Sequence, residues 1–305
     1  MAESNSGYQI GLRAPADGGA CIGIFLTQML PLSGFRRLLI TVALVMPFAS
    51  THLAAQWLKY PTAGVPRKAD GKTVDMSAPA PRLADGRPDF SGIWTADRTD
   101  VKRPGNLGNP NDAVTSRQMT DMGVDMPGGL PYQPWQVPIV KKRTANLAID
   151  DPHIKCMPDN FLRAYGMPHF LKFVSTPGLF LTLNELNAGY RQVFTDARPL
   201  PVDPNPTLQG YSSGKWNGDT LVVDSIGFRD DTWIDWNGSV ITEAAKVREE
   251  FRRPDFGHIV IQVTVDDPKG YTKPWSVTIK ERVVADVELI DEMCLENEQS
   301  LKHLH

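Results

Sequence analysis

GYSSGKWNGDTLVVDSIGF, residues 210–228, holds the most legible local structure in the chain. Asn217-Gly218 is a hairpin signal, because both central residues of a type I′ turn need φ > 0. The flanks are strand-like, with Trp216 before the turn and Leu221-Val222-Val223 after it. A loop of those two residues sets Trp216 opposite Asp219, Lys215 opposite Thr220 and Tyr211 opposite Asp224.

Working outward, more strands are expected in series. Phe170–Ser175, Leu179–Glu185 and Tyr190–Thr195 precede the hairpin. Lys246–Arg252, His258–Asp266, Trp275–Val284 and Val287–Cys294 follow it. The links carry turn chemistry at Pro177-Gly178, Asn187-Ala188-Gly189 and Asp267-Pro268-Lys269-Gly270. Strand spacing of about 8–12 residues with such turns suggests a sandwich or a barrel, and closure into a barrel removes exposed edges. The expectation is an all-β chain, an antiparallel meander closing on itself. Arg229–Thr242 is an insertion after the hairpin. The tail from Asn297 is either a short helix or frayed.

The formal net charge is −3 over 305 residues. No basic stripe points to a nucleic-acid partner. Following Met29, Arg36-Arg37, an apolar run Leu38–Ala49 and Leu53-Ala54-Ala55 have the three parts of a secretory signal. The run is short for a membrane span of about 20 residues. The expected organisation is therefore an upstream segment and signal over 1–55, an extended arm over 56–90 and one β domain over 91–305. The location is periplasmic or secreted, with membrane contact only through an uncleaved signal. Cys21 then falls in the removed segment, leaving Cys156 and Cys294. In an oxidising compartment these most simply form one disulfide, worth about 4–5 kcal/mol by chain entropy. The alternative is a nucleophilic Cys156 with His153 or His169 as base.

In the arm, Pro66-Arg67-Lys68-Ala69-Asp70-Gly71-Lys72 is echoed by Pro81-Arg82-Leu83-Ala84-Asp85-Gly86-Arg87. These read as two turns lying over the domain. Residues 101–150 are loop-rich. Met119–Met126 and Lys141–Leu147 are possible short helical pieces around the aromatic-proline loop Pro131–Trp135, which either covers a barrel mouth or packs on the wall.

Gly92-Ile93-Trp94 resembles the Gly-x-Trp opening of lipocalins and fatty-acid-binding proteins. That resemblance implies a calycin-like barrel in which Trp94 closes one end and packs on a late-strand basic residue, here Arg282. Over nearly all of 56–305 the chain also resembles a family of secreted, largely uncharacterised bacterial proteins. The motifs are Asp151-Pro152…Cys156, Arg191-Gln192, Asp196…Arg198-Pro199-Leu200-Pro201, Gly210-Tyr211-Ser212, Trp216-x-Gly218-Asp219-Thr220-Leu221-Val222-Val223, Tyr271-Thr272-x-Pro274-Trp275 and Cys294-x-Glu296-Asn297. This implies export and a β-rich fold, and no reaction. The segment after Cys156 keeps only Pro158 and Arg163 of the family pattern, and Val240-Ile241-Thr242-Glu243 lacks its His.

Candidate chemistry rests on strand alternation. Glu185 shares its face with Leu179, Leu181 and Leu183; Glu249 with Val247 and Phe251; Glu281 with Trp275, Val277 and Ile279. Those faces line either the interior or a covered outer wall. A desolvated inward Glu has a raised pKa and suits acid–base work; the bland reading sets each Glu at a strand end, in solvent or paired with Arg191 or Arg282. Tyr211 opposite Asp224 is a second acid–base candidate, or a cross-strand bond that fixes register. The candidate catalytic residues are thus Glu185, Glu249, Tyr211 and Asp224. Arg191, Trp233, Glu281 and Trp275 are the candidate ligand-binding residues. Asp230, Asp231 and Asp235 fit no EF-hand spacing, so no metal is assigned and no cofactor is implied. Gly-x-Ser-x-Gly, phosphate-loop and dinucleotide motifs are missing.

The function expected is interior binding of a small apolar or amphipathic molecule. The alternatives are a cofactor-free lyase, isomerase or hydratase in the same barrel, and an envelope interaction protein.

Overall fold

A computed structural model describes residues 61–97, 117–146 and 149–292. They fall within one unit, Trp57–His305. The expected export segment, Cys21, Cys294 and the tail lie outside the described residues.

Eleven strands are described: β1 (Gly92–Ala96), β2 (Leu171–Thr176), β3 (Leu179–Asn184), β4 (Gly189–Phe194), β5 (Tyr211–Asn217), β6 (Thr220–Ile226), β7 (Thr232–Trp233), β8 (Val240–Ile241), β9 (Lys246–Arg252), β10 (His258–Asp266) and β11 (Trp275–Val283). Nine close into a barrel in the order β1-β11-β10-β9-β6-β5-β4-β3-β2, while β7 and β8 pair as a separate ribbon. The all-β barrel expected from the strand series is therefore present. It is not a pure antiparallel meander, because β4 and β5 run parallel through Val193↔Ser212 and Phe194↔Ser213. Parallel neighbours need a long crossover, and the proline-rich linker 195–210 supplies it. Residues 287–291 form no strand; only an isolated bridge, Leu186↔Glu292, follows them.

The β5–β6 hairpin forms, with a register different from the expected one. Asn217 pairs with Thr220 and Trp216 with Leu221, so Tyr211 faces Ile226 and Asp224 faces Ser213. The loop is Gly218-Asp219, with Gly218 at φ 58° and Asn217 still in the strand. A positive φ at the first loop position belongs to Gly-x hairpins as readily as Asn-Gly belongs to type I′. The turn moved by one residue, which exchanges partners and preserves faces.

The β2–β3 and β5–β6 turns lie at one barrel end. The N-terminal arm lies at this end and uses its two echoed turns in the same way. Gly71 N–H donates to Lys68 O and Gly86 N–H to Leu83 O, both at 2.9 Å. Each turn presents an arginine to the barrel, Arg67 to Asp286 and Arg82 to Asp219, both at 2.6 Å. Phe256 and Gly257 N–H donate to the arm carbonyls of Ala78 and Met76.

Inward side chains fill the arm end. Phe180 from β3 meets Phe251 from β9 at 5.5 Å between ring centroids, and Phe173 meets Phe251 at 6.3 Å. These strands stand on opposite walls, so aromatic rings span the lumen. Phe251 is fully buried, and a buried Phe contributes roughly 1.5–3 kcal/mol. Trp94 is also fully buried. Its basic partner is Arg253, 4.7 Å from the ring. Arg282, the partner expected from sequence, is exposed on the outer face of β11.

At the opposite end, a short buried helix α3 (Phe161–Gly166) packs in; the helices before it are α1 (Arg117–Thr120) and α2 (Gln136–Ala145). The expected helix Met119–Met126 thus stops at Thr120. The piece expected over Lys141–Leu147 is the second half of α2, which starts directly after the Pro131–Trp135 loop. That loop joins the β10–β11 turn, with Gln133 N–H donating to Gly270 O at 2.8 Å. It belongs to the helix end.

Candidate functional site

Glu249, Arg191 and Tyr165 meet inside the barrel. Alternation along β9 turns Val247, Glu249 and Phe251 inward, and β4 turns Arg191 and Val193 inward. Arg191 reaches across the lumen to Glu249, its Nη2 2.5 Å from Oε2 and its Nη1 3.1 Å from Oε1. Nη1 also donates to the Tyr165 hydroxyl at 3.1 Å, Nη2 to Ser225 Oγ at 2.9 Å, and Nε to Ser212 Oγ at 3.1 Å. All five N–H donors of the guanidinium are engaged. Tyr165 donates in turn to Glu249 Oε1 at 2.8 Å. The Arg191 carbon lies 3.5 Å from the Phe161 ring centroid.

Burial drives the Tyr165 hydroxyl well above its usual pKa, and the Glu249 carboxylate adds to that. Burial opposes the charge on Arg191, but Glu249 and Tyr165 together outweigh it and raise the guanidinium pKa. A cavity of about 20 Å³ beside Tyr165, Arg191 and Gln209 has space for roughly one water. The cluster clamps opposite walls and leaves no N–H of Arg191 for a substrate.

Tyr165 escaped the sequence reading because α3 is too short to show a period. Its start was readable: Asn160 is an N-cap whose side chain accepts from Leu162 N–H at 2.9 Å. Behind it, the buried Arg163 forms a bidentate pair with Asp151 at 2.8 and 2.6 Å. Asp159 lies 3.3 Å from Arg163 Nε and 3.0 Å from His153 Nδ1. The Asp159 carboxylate, as acceptor for the imidazole, raises the His153 pKa. That pairing engages the imidazole with Asp159.

The remaining predicted residues are spread over the barrel. Glu281 is fully buried on the inner face of β11 and adds its field to Tyr165. Trp275, on the same face, packs edge-on to Tyr271 at 5.4 Å. Glu185 is not on a lumen face with Leu179, Leu181 and Leu183: the inward residues of β3 are Phe180 and Thr182. Glu185 follows the strand end, and its carboxylate accepts from Phe170 N–H at 3.0 Å. Tyr211 and Asp224 are not brought together. Tyr211 packs on Phe194 at 5.3 Å, and Asp224 makes a surface pair with Arg248 at 2.7 Å.

Trp233 lies in the insertion under Arg143, 4.3 Å away. The insertion's acidic residues are also dispersed. Asp231 pairs with Arg143, Asp230 accepts from Glu243 N–H, and Asp235 is buried. No metal-binding group occurs among the described residues. Cys156 caps a 3₁₀ turn at φ 58°.

An open cleft lies at the arm end, where sequence reasoning had placed none. Its volume is about 350 Å³, and its walls include Leu83, Leu179, Phe180, Trp216 and Leu221, with Asp85 and Arg87 also lining it. Trp216 stacks on Phe90 at 5.6 Å and has Arg87 5.5 Å from its ring. The signal for it was in the sequence, since an inward Trp one residue from a hairpin turn must sit at a barrel mouth.

No family model, no curated protein and no solved structure matches the chain.

Proposed function

We propose that this protein is an exported β-barrel that binds a small, largely apolar molecule in the cleft at its arm end. The observation that carries this reading is the contrast between two regions. The lumen is spanned by Phe180–Phe251 contacts and the Arg191–Glu249 pair. The cleft beside Trp216 is open and about 350 Å³, a volume typical of small-molecule sites. Leu83, Leu179, Phe180 and Leu221 supply apolar contact, and the Trp216 ring supplies a flat anchor. The Arg82–Asp219 pair joins the arm turn to the hairpin turn next to this cleft.

Export is supported by the Arg36-Arg37, Leu38–Ala49 and Ala54-Ala55 sequence, and an oxidised Cys156 would accord with it. Cys294 is its proposed partner. The lyase, isomerase or hydratase reading has less support, because Arg191 and Tyr165 occupy the Glu249 oxygens.

Native mass spectrometry of protein purified from its own periplasm tests the reading. The expected result is a mass excess that organic extraction removes and that Trp216→Ala abolishes. A bare mass, together with no change in tryptophan emission across apolar probes, would sink it.

A further inference from the structure

A second cavity, separate from the Trp216 cleft, lies between the arm and the segment after β11. Its volume is about 280 Å³. Val65, Ile93, Phe256, Val284 and Val287 give it apolar walls, and Arg253 lines it. Lys172 and Glu288, also in its lining, pair at 3.3 Å.

Arg253 differs from the other deeply buried arginines. Arg163 has Asp151 and Arg191 has Glu249, each at hydrogen-bond distance. Arg253 is only 6 % exposed yet donates to main-chain carbonyls alone. Its Nη1 donates to Asp89 O and, at 3.4 Å, to Ser91 O; Nη2 donates to Phe256 O at 2.7 Å and Nε to Asp255 O at 3.4 Å. That uses four of the five N–H groups; the second Nη2 hydrogen has no acceptor among the described residues. Carbonyls satisfy donors without cancelling a charge. The nearest carboxylates act only at a distance and are engaged elsewhere, Asp255 with His258 and Asp89 with Ser91 N–H. Burial accordingly pulls the Arg253 pKa down to about 10, against the weaker pull of Asp89 and Asp255.

We infer that this cavity is a binding site for a small amphipathic monocarboxylate, whose carboxylate pairs with Arg253 and whose hydrocarbon lies along the apolar wall. A carboxylate supplies the missing counter-charge and the missing acceptor together. A neutral molecule supplies neither, and a multiply charged anion would leave charge against Val65, Val284 and Val287.

Calorimetric titration of the full chain with hexanoate and benzoate, against hexanol and benzyl alcohol, tests this. The acids are expected to bind at least tenfold more tightly than the alcohols. Equal affinity, or no heat from the acids, overturns the proposal. Arg253→Gln is expected to lose that tenfold preference, and its fold is checked by circular dichroism. Because Arg253 also packs on Trp94, a second variant, Ala63→Trp, fills the cavity from its exposed rim without touching the guanidinium. A folded Ala63→Trp protein that binds benzoate as well as the parent overturns the site. Trp216→Ala is expected to leave benzoate affinity unchanged, which separates this cavity from the cleft; lost benzoate binding in that variant overturns the assignment.

Discussion

Arg191 and Glu249 form a buried pair whose energetics follow from desolvation. Two charges taken out of water recover that cost only through each other and their remaining hydrogen bonds. Removing one partner strands the other. Glu249→Gln is therefore expected to lower unfolding free energy by about 3–5 kcal/mol, read as a shift in urea midpoint at constant slope. Arg191→Met combined with Glu249→Leu is expected to recover much of that loss; equal losses in the single and double variants would count against a coupled pair. Asp235 makes a second prediction. Burial raises its pKa from 3.8 to about 6, although Met122 and Ser239 donate to the carboxylate. The folded state then holds a proton that the unfolded chain releases at lower pH. Its contribution to stability falls as pH rises from about 4 through about 6, by on the order of 3 kcal/mol in total. Carbon-13 titration of the Asp235 carboxyl should give a midpoint near 6, and a midpoint near 4 would refute the argument. Strand alternation made Glu249 and Glu281 legible as inward residues. It left the side of Glu185 open between lumen and outer wall, because apolar Leu179, Leu181 and Leu183 occupy the outer face of β3.

The arm's two turns show how a local repeat becomes a tertiary fastener. Each closes on a glycine at positive φ, Gly71 at 64° and Gly86 at 85°, and each aims one arginine at a barrel aspartate. The Arg82–Asp219 pair is exposed on both sides, so Arg82→Ala is expected to leave the urea midpoint nearly unchanged. The main-chain bonds at Met76 and Ala78 anchor the arm more firmly. A Cβ on Gly257 would stand 2.7 Å from Met76 Cβ and 2.8 Å from Met76 O. Since a carbonyl oxygen in a hydrogen bond cannot swing aside, Gly257→Ala is expected to loosen the arm. Limited trypsin digestion should then cut at Lys68 or Arg82 many times faster than in the parent, with the barrel fragment intact; unchanged cleavage would show the arm held elsewhere. The repeat was visible as sequence, but its purpose was not, because Asp219 and Asp286 lie far along the chain. Arg253 escaped for the same reason: register decides which late basic residue meets Trp94. In the hairpin, strand identity came from residue type, while pairing depended on whether Asn217 or Asp219 joined the loop.

At the scale of the whole molecule, closure depends on one parallel neighbour pair that no residue pattern announces. Strand periodicity is the same whichever way a strand runs, and only the length of 195–210 hinted at a crossover. Closure also needs the helix end held, and there the chain's two distant halves converge. Cys156 lies five residues before α3, whose side chains enter the Glu249 cluster. Glu292, two residues before Cys294, bridges Leu186 and pairs with His169 at 2.9 Å, beside the starts of β2 and β4. Cys156 and Glu292 thus stand at the same end. A Cys156–Cys294 bond would close most of the barrel into one covalent loop and restrict the unfolded chain. The chain-entropy relation puts its stabilisation at about 4–5 kcal/mol. Intact mass under non-reducing denaturation should show a molecule two hydrogens lighter than the reduced chain and inert to alkylation. Cys156→Ser should lower the unfolding free energy by an amount in that range, read from the urea midpoint at constant slope, and reductant should lower the parent's midpoint to match. Alkylation of Cys156 and Cys294 in urea without reductant would refute the bond, and the barrel's closure would then rest on the hydrogen-bond ladder and the Arg191–Glu249 clamp.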